Sequence, residues 1–249
     1  MRILVTNDDG IDAKGIYKLA EALSKEHEII VVAPRNQRSA CSHSITIEDV
    51  INIREESLEN LNVKAYSLSG TPADCVRLGL NKICDGKIDM VISGINRGLN
   101  AGTDVIYSGT VSAAIEAAIC KIPSIAVSQE ISQDMENYDR ACEYVLKVLD
   151  IAKEKYMKDD VVLNLNIPIN DIKGFKVAKI GKTTYTNKYE KVPNEEFEES
   201  YRITGTMDKR RDVDDDVYYL RQGYVTLTPL HYDLTNFKIL KDVGDVFKV

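Results

Sequence analysis

Over the first 168 residues, short apolar runs alternate with longer segments of helical spacing. RILVT (2–6) and EIIVVAP (28–34) are nearly continuous hydrophobic runs, the pattern of strands covered on both faces in a parallel sheet. Between them, AKGIYKLAEALSKEH (13–27) places Ile16, Leu19, Ala20 and Leu23 on one helical face. The theme recurs, with DMVISGI (89–95), SIAVSQE (124–130) and VVLNLNIP (161–168) as further strands. SGTPADCVRLGL (69–80), SGTVSAAIEAAIC (108–120) and NYDRACEYVLKVLDIAKEKYM (137–157) read as helices. In the first of these Thr71 can cap, Pro72 fits the opening turn and Asp74 complements the helix dipole. Strand–helix alternation of this kind predicts an α/β protein with a mostly parallel sheet sandwiched by helices.

Two stretches depart from the alternation. SITIEDVINI (44–53) and VKAYSL (63–68) are expected as extra strands in a peripheral hairpin. After Pro168 no long apolar helix appears, and residues 182–216 form a polar, aromatic-dotted, charged excursion. FKVAKIG and KTTYTNKYEK are expected to pair as long strands. KRRDVDDDVYYL, a basic cluster followed by an acidic one, reads as a solvated loop. GYVTLTPLHYDLT (223–235) regains strand character, with a break at Pro229. The pattern therefore divides the chain into a core, 1–170, and a β-rich C-terminal extension, 171–249, whose last strand returns to the core.

Composition narrows the chemistry. A chain of 249 residues with a formal charge of −7 can bury a large core but has little long-range attraction for nucleic acid or an anionic membrane. An anionic ligand would have to meet local positive charge, and a metal supplies it. The five cysteines contain no C-x-x-C pair and read as reduced thiols. No run approaches a membrane span and the N-terminal apolar run is too short for a signal peptide, so a cytoplasmic location is expected. Three scattered histidines argue against a histidine-rich metal site. The absence of G-x-G-x-x-G after the first strand, and of G-x-x-x-x-G-K-[ST] anywhere, disfavours NAD and ATP folds.

In a parallel α/β sheet, ligands gather at the carboxyl edge of the strands. Three loops meet that description here: NDDG (7–10), RNQRSACSHS (35–44) and NRGLNAGTDVIYSGT (96–110). The adjacent Asp8 and Asp9 pose the sharpest question, because at about 4 Å and an effective dielectric near 20 two carboxylates repel by on the order of 4 kcal/mol. Water, a shared proton or a cation can relieve that repulsion. The oxygen donors of the three loops form a hard set suited to magnesium or manganese, with coordination positions left for the water that hydrolysis needs. YSGTVSAA (107–114) is a candidate anion receptor: a helix start with free N–H groups, hydroxyls on Ser108 and Thr110, and close approach allowed by Gly109. The same residues also make an ordinary helix cap, and Gly98, Asn100 and Gly102 ordinary turns. His43, a candidate proton donor, and Cys41 both read as inert.

Taken together and in order, MRILVTNDDGI, VVAPRNQRSACSHSIT, SGTPADCVRLGL, VISGINRGLNAGTDVIYSGTVSAAIEAA, LNLNIP and GYVTLTPLHYDLT resemble the survival protein E (SurE) family of metal-dependent 5'-nucleotidases. The resemblance implies a Rossmann-like core with a C-terminal extension whose hairpins reach a partner subunit, in a homodimer or homotetramer. It implies hydrolysis of nucleoside monophosphates, with 3'-nucleotidase and exopolyphosphatase activity as possible additions. By position, it implies that Asp8, Asp9, Ser39 and Asn96 hold one divalent cation per subunit, Mg2+ or Mn2+, with Asp8 and Asp9 catalytic. Asn100, Ser108, Gly109 and Thr110 would face the phosphate. Members of the family often have Ser-Gly where this chain has Ser39–Ala40, so a positive φ there would strain the alanine. Arg97 follows Asn96 as a bulky cation of open direction. Two rivals are a phosphatase with an Asp nucleophile, whose pattern spaces its aspartates by one rather than placing them side by side, and a non-catalytic nucleotide sensor.

Overall fold

The strands predicted from apolar runs lie beside one another in a computed structural model that describes residues 1–132, 136–156, 160–169, 171–183, 185–193, 196, 199–207 and 213–247. The strands are β1 (Arg2–Thr6), β2 (Glu28–Pro34), β3 (Ile53–Glu56), β4 (Lys64–Leu68), β5 (Met90–Arg97), β6 (Ser124–Gln129), β7 (Val162–Ile167), β8 (Gly174–Val177), β9 (Tyr185–Val192), β10 (Ser200–Met207) and β11 (Tyr224–Leu230). Nine of them form one sheet in the order β3-β4-β2-β1-β5-β6-β7-β11-β8. From β4 through β7 the neighbours run parallel. β3 lies antiparallel on β4, β11 antiparallel on β7, and β8 parallel to β11.

The helices are α1 (Lys14–Leu23), α2 (Pro72–Leu78), α3 (Gly109–Ile119), α4 (Asp139–Lys155), α5 (Asp216–Arg221) and α6 (Leu240–Val246). Successive residues of β1 go to opposite faces: Ile3 and Val5 join Ile16, Leu19, Val145 and Leu149 from α1 and α4, whereas Leu4 joins Val76, Ala113 and Ala117 from α2 and α3. Both faces are covered, which is why the run carries no polar alternation. Each such side chain taken fully from water contributes about 1.5–3 kcal/mol. α2 starts with the expected cap: the Thr71 hydroxyl accepts from the Asp74 amide at 3.1 Å while Asp74 Oδ2 accepts from the Thr71 amide at 2.9 Å. α1 is shorter than its pattern, ending at Leu23, where the apolar face runs out.

Three expectations are corrected. Residues 44–52 do not form a strand, because Asp74 takes both the amide and the hydroxyl of Thr46 and the Thr71 hydroxyl donates to the Ser44 carbonyl, tying this stretch to α2. The strand begins only at Ile53, and with β4 it finishes the main sheet rather than standing apart. FKVAKIG and KTTYTNKYEK do not pair: β8 adds to the main sheet, while β9 pairs antiparallel with the unforeseen β10 as a separate two-stranded ribbon. β8 joins the main sheet with its apolar Phe175 and Val177 on the more exposed face, and the polar β9 has only its neighbouring strand to satisfy its backbone. Within KRRDVDDDVYYL, Asp214 is exposed but Asp215 and Asp216 are not solvated. Asp215 caps α5 through the Tyr218 amide at 2.8 Å, and Asp216 is buried with the amides of Gly102, Gly181 and Val217 on its oxygens. The basic part, Lys209–Arg211, and Asp212 lie outside the described residues. β11 passes through Pro229 and stops at Leu230, after which α6 buries none of its residues.

Gly15 lets α1 lie directly on β5. A Cβ built there would stand 2.1 Å from the Ile95 carbonyl oxygen, a backbone atom that cannot swing away. Gly15→Ala is therefore expected to destabilise the protein by about 2 kcal/mol or more, read as a lower urea midpoint with an unchanged slope.

Candidate active site

The carboxyl edge at β1, β2 and β5 is where the three predicted loops converge. Asn7, fully buried, folds the turn after β1 with its own side chain: Nδ2 donates to the Gly10 carbonyl at 2.9 Å and Oδ1 accepts from the Gly10 amide at 3.2 Å. This presents Asp8 and Asp9 at the sheet rim. The loop after β2 closes over them, the Arg38 amide donating to the Asp8 carbonyl at 2.7 Å and Gln37 Nε2 to Asp9 Oδ1 at 3.3 Å. From the end of β5 the Arg97 amide donates to Asp9 Oδ2 at 3.0 Å, and from α3 the Thr110 hydroxyl donates to Asp8 Oδ1.

Asp8 is only 5% exposed, and burial raises its carboxyl to about 6, the Thr110 hydroxyl opposing and the charge of Asp9 adding to the rise. Burial likewise raises Asp9, against the opposing Arg97 amide and Gln37. The protein alone thus provides too little positive charge to keep both comfortably ionised. Gly109 lets the start of α3 lie directly against them: a Cβ there would lie 2.7 Å from Asp8 Cβ, 2.9 Å from Asp8 Oδ2 and 2.9 Å from Cys41 Sγ. Among the described residues no group of three or more His, Cys, Asp or Glu could hold a metal. The available donors are hard oxygens. Two carboxylates, the Ser39 hydroxyl and the Asn96 amide oxygen are a donor set of the kind that suits a hard divalent cation.

Asn96 owes its aim to an irregularity. The β5–β6 register shifts between Ser93 and Asn96, and such a bulge re-aims side chains at the end of a strand. Its Nδ2 then donates to the Gly98 carbonyl at 2.9 Å, which orients the amide. Ser39 lies exposed in the turn that follows Arg38, and the next residue, Ala40, adopts φ +54°. The conformation that glycine would take freely is thus present, with an alanine in it. Arg97 is exposed and meets Asp9 through its backbone.

The proposed phosphate contacts separate into two kinds. Ser108 caps α3, its Oγ accepting from the Val111 amide at 3.1 Å, which occupies a lone pair and not the hydroxyl proton. The cap and an anion receptor are therefore compatible. The Thr110 hydroxyl is committed to Asp8, so its side chain orients a carboxylate. Asn100 is buried inside the scaffold: its amide donates to Asn166 Oδ1 at 2.8 Å, its carbonyl accepts from Asn164 and Asn166 at 2.8 and 3.0 Å, and its Nδ2 donates to Ser128 Oγ at 2.9 Å. Asn164 and Asn166 carry the loop after β5, a role unread in the sequence. Their signal was two asparagines on one face of an otherwise apolar strand.

His43 is likewise not idle. Its Nε2 stands 2.7 Å from Glu116 Oε2, and Arg77 Nη1 reaches Glu116 Oε1 at 3.1 Å. Burial would raise the Glu116 carboxyl, but His43 and Arg77 together hold it below its ordinary value. With Ser42 Oγ donating to the Ile106 carbonyl at 2.8 Å, this pins the Ser39 loop to α3 and the turn before it. Burial, with the charge of Asp8, pushes the Cys41 thiol up.

The Asp8 shift has a stability consequence. In the metal-free protein the folded state holds its proton more tightly than the unfolded chain, from 3.8 up to about 6, so stability falls as pH rises through that window and the full cost applies above it. The cost is on the order of 3 kcal/mol. Asp8→Asn should therefore raise the metal-free melting temperature at pH 7, and the gain should vanish near pH 4. Ala40→Gly should stabilise by about 1 kcal/mol in the same melts, by relieving the left-handed alanine.

Comparison with known proteins places these features in a family. The family model described as "Survival protein SurE" matches residues 3–187. The 5'-nucleotidase SurE of Clostridium beijerinckii is 55% identical over 253 residues, covering 100% of both chains. That of Clostridium botulinum type A is 53% identical, with 99% of each covered. The crystal structure of the Sure protein from Aquifex aeolicus superposes with a TM-score of 0.83 at 35% identity, over 99% of both chains. The match spans the rim loops and the sheet that carries them, and the chain belongs to the survival protein SurE family.

Proposed function

We propose that this protein is a metal-dependent 5'-nucleotidase, a phosphomonoesterase that releases phosphate from nucleoside monophosphates. The observation that carries the reading is the pair of desolvated carboxyls, Asp8 and Asp9, against which the N-terminus of α3 packs directly at Gly109. The 5'-nucleotidase names of relatives more than half identical along the whole chain support the substrate class. Asp8, Asp9, Ser39 and Asn96 would hold the cation, Mg2+ or Mn2+. When bound, it supplies the positive charge that the two carboxylates and a phosphate share, and lowers the pKa of water.

The chain's own residues do the rest. The backbone amides at the start of α3 and the Ser108 hydroxyl receive the equatorial phosphate oxygens, where the helix dipole favours negative charge. Thr110 keeps Asp8 in one orientation, Gln37 and the Arg97 amide do the same for Asp9, and the His43–Glu116–Arg77 contacts hold the Ser39 loop in place. Donors fixed before the substrate arrives cost no reorganisation as charge builds on phosphorus.

Assembly as a homodimer or homotetramer is supported by the ribbon of β9 and β10, with Tyr189, Tyr201 and Ile203 exposed, and by the C-terminal arm, where Leu234, Phe237 and Phe247 are exposed. Five free cysteines suit the reducing cytoplasm, and no helix among the described residues is long and apolar enough to cross a membrane. The net charge of −7 argues against a nucleic-acid partner.

Phosphate release from AMP should require Mn2+ or Mg2+ and stop on chelation. Asp9→Asn should lower it by about a hundredfold or more while the protein still folds, as read by circular dichroism. Undiminished turnover in excess chelator would refute the metal requirement, and tight AMP binding without turnover would favour a sensor.

A further inference from the structure

The sheet face under α3 carries a polar cluster that neither the rim loops nor the apolar core uses. Asn164 on β7 and Thr226 and Thr228 on β11 are buried there. Their strand neighbours Leu163, Leu165 and Val225 belong to the opposite face, with α1 and α4, so these three side chains point toward α3. β11 runs antiparallel to β7, with Thr228 directly across from Asn164 and Thr226 across from Asn166. Asn166 is fully used: its Oδ1 accepts from the Asn100 amide at 2.8 Å and its Nδ2 donates to the Asn100 carbonyl at 3.0 Å. Asn164 is only half used. Its Nδ2 donates to the same carbonyl at 2.8 Å, but its Oδ1 and the hydroxyls of Thr226 and Thr228 find no hydrogen-bond partner among the described residues. A buried polar atom left in that state costs free energy comparable to a lost hydrogen bond.

We infer that Asn164, Thr226 and Thr228 bind one ordered water molecule between the sheet and α3, and that this water completes the mounting of Asn100. The donor and acceptor count fits. Water donates to Asn164 Oδ1 and exchanges hydrogen bonds with the two hydroxyls, the number of partners a buried water usually has. Side chains directly opposite on antiparallel strands stand about 4.5–5.5 Å apart at Cβ, a span that a single bridging molecule can close. α3 meets this face through Val111, Ala114 and Ala118, whose side chains offer no hydrogen bond, so the polar contacts fall to the sheet. A cation fits less well, because all three oxygens are neutral and a charge buried among them would stay uncompensated. The water would tie β11, which returns from the C-terminal extension, through Asn164 to the loop that leads from β5 to α3. None of this depends on the nucleotidase reading.

The test uses Thr228→Val in the full-length protein, a change that trades the hydroxyl for a methyl of similar shape. A hydroxyl that binds nothing is removed without loss, whereas one that holds the water leaves Asn164 Oδ1 stranded, so the melting temperature should fall by about 3 °C or more. Thr226→Val should act alike, and the double variant should lose clearly less than the sum, because both hydroxyls share one ligand. Thr228→Ser, which keeps the hydroxyl, should recover most of the loss. Amide hydrogen exchange supplies the local readout: in Thr228→Val, residues 99–102 should exchange about tenfold faster while β1 keeps its rate, a split that general destabilisation would not produce. A high-resolution crystal structure should show a water within hydrogen-bond distance of all three oxygens. An unchanged or raised melting temperature in Thr228→Val, additive losses in the double variant, unaltered exchange at 99–102, or a direct bond from Thr228 to Asn164 in the crystal would each overturn the inference. A native melting temperature that rises with K+ but not with Na+ at equal ionic strength would overturn it in favour of a bound cation.

Discussion

The repulsion and desolvation of two consecutive carboxyls, Asp8 and Asp9, is the constraint around which the rest of this molecule is arranged. A strand that ended in one aspartate could leave it in water. Here the Asn7 turn, the Arg38 amide and the start of α3 enclose Asp8 almost completely, so its charge must be met from within the site. Every donor the protein commits to the pair is a neutral backbone amide, hydroxyl or side-chain amide. Neutral donors orient a carboxylate without cancelling its charge, and that leaves the pair suited to a divalent cation.

Orientation of this kind requires a frame that does not yield. Each rim loop is fastened away from its functional residue: the β2 loop through His43 and Ser42 to α3 and its preceding turn, the β5 loop through Asn100 to Asn164 and Asn166, and the turn beyond it through Asp216. These fasteners are polar groups, buried at Asn100, Asn164, Asn166 and Asp216 and half-buried at Ser42 and His43, that add little to net stability compared with an apolar core, but each has its own set of partners and so specifies one loop conformation. The His43–Glu116–Arg77 contacts show the logic well. A carboxyl that burial alone would push up is held below its ordinary value by His43 and Arg77, which come from different segments, and those segments are joined as a result.

Stability is given up at several points around the site. Asp8 carries an ionisation cost, Ala40 sits in a left-handed conformation, and large apolar side chains remain exposed along the ribbon and the C-terminal arm. The first comes from desolvation of a carboxyl, and the last leaves apolar area in water that a compact fold would otherwise bury. The left-handed alanine follows directly after Ser39, where the chain must reverse to close the rim.

The amino-acid sequence alone determined the layered α/β architecture and the three rim loops. Continuous apolar runs, helical spacing and the Thr71–Pro72–Asp74 start are local signals, and local signals survive without tertiary context. Asp8, Asp9 and the 108–110 helix start were legible for the same reason. What only the tertiary structure decided depends on partners distant in the chain. Residues 44–52 alternate like a strand yet follow Asp74, β9 found β10 instead of β8, and the aspartates at 215 and 216 became buried caps because amides of residues 102, 181, 217 and 218 surround them. His43 looked idle until Glu116, 73 residues away, was placed against it. A polar side chain's role is set by whichever group it meets in three dimensions, and periodicity carries no record of that meeting.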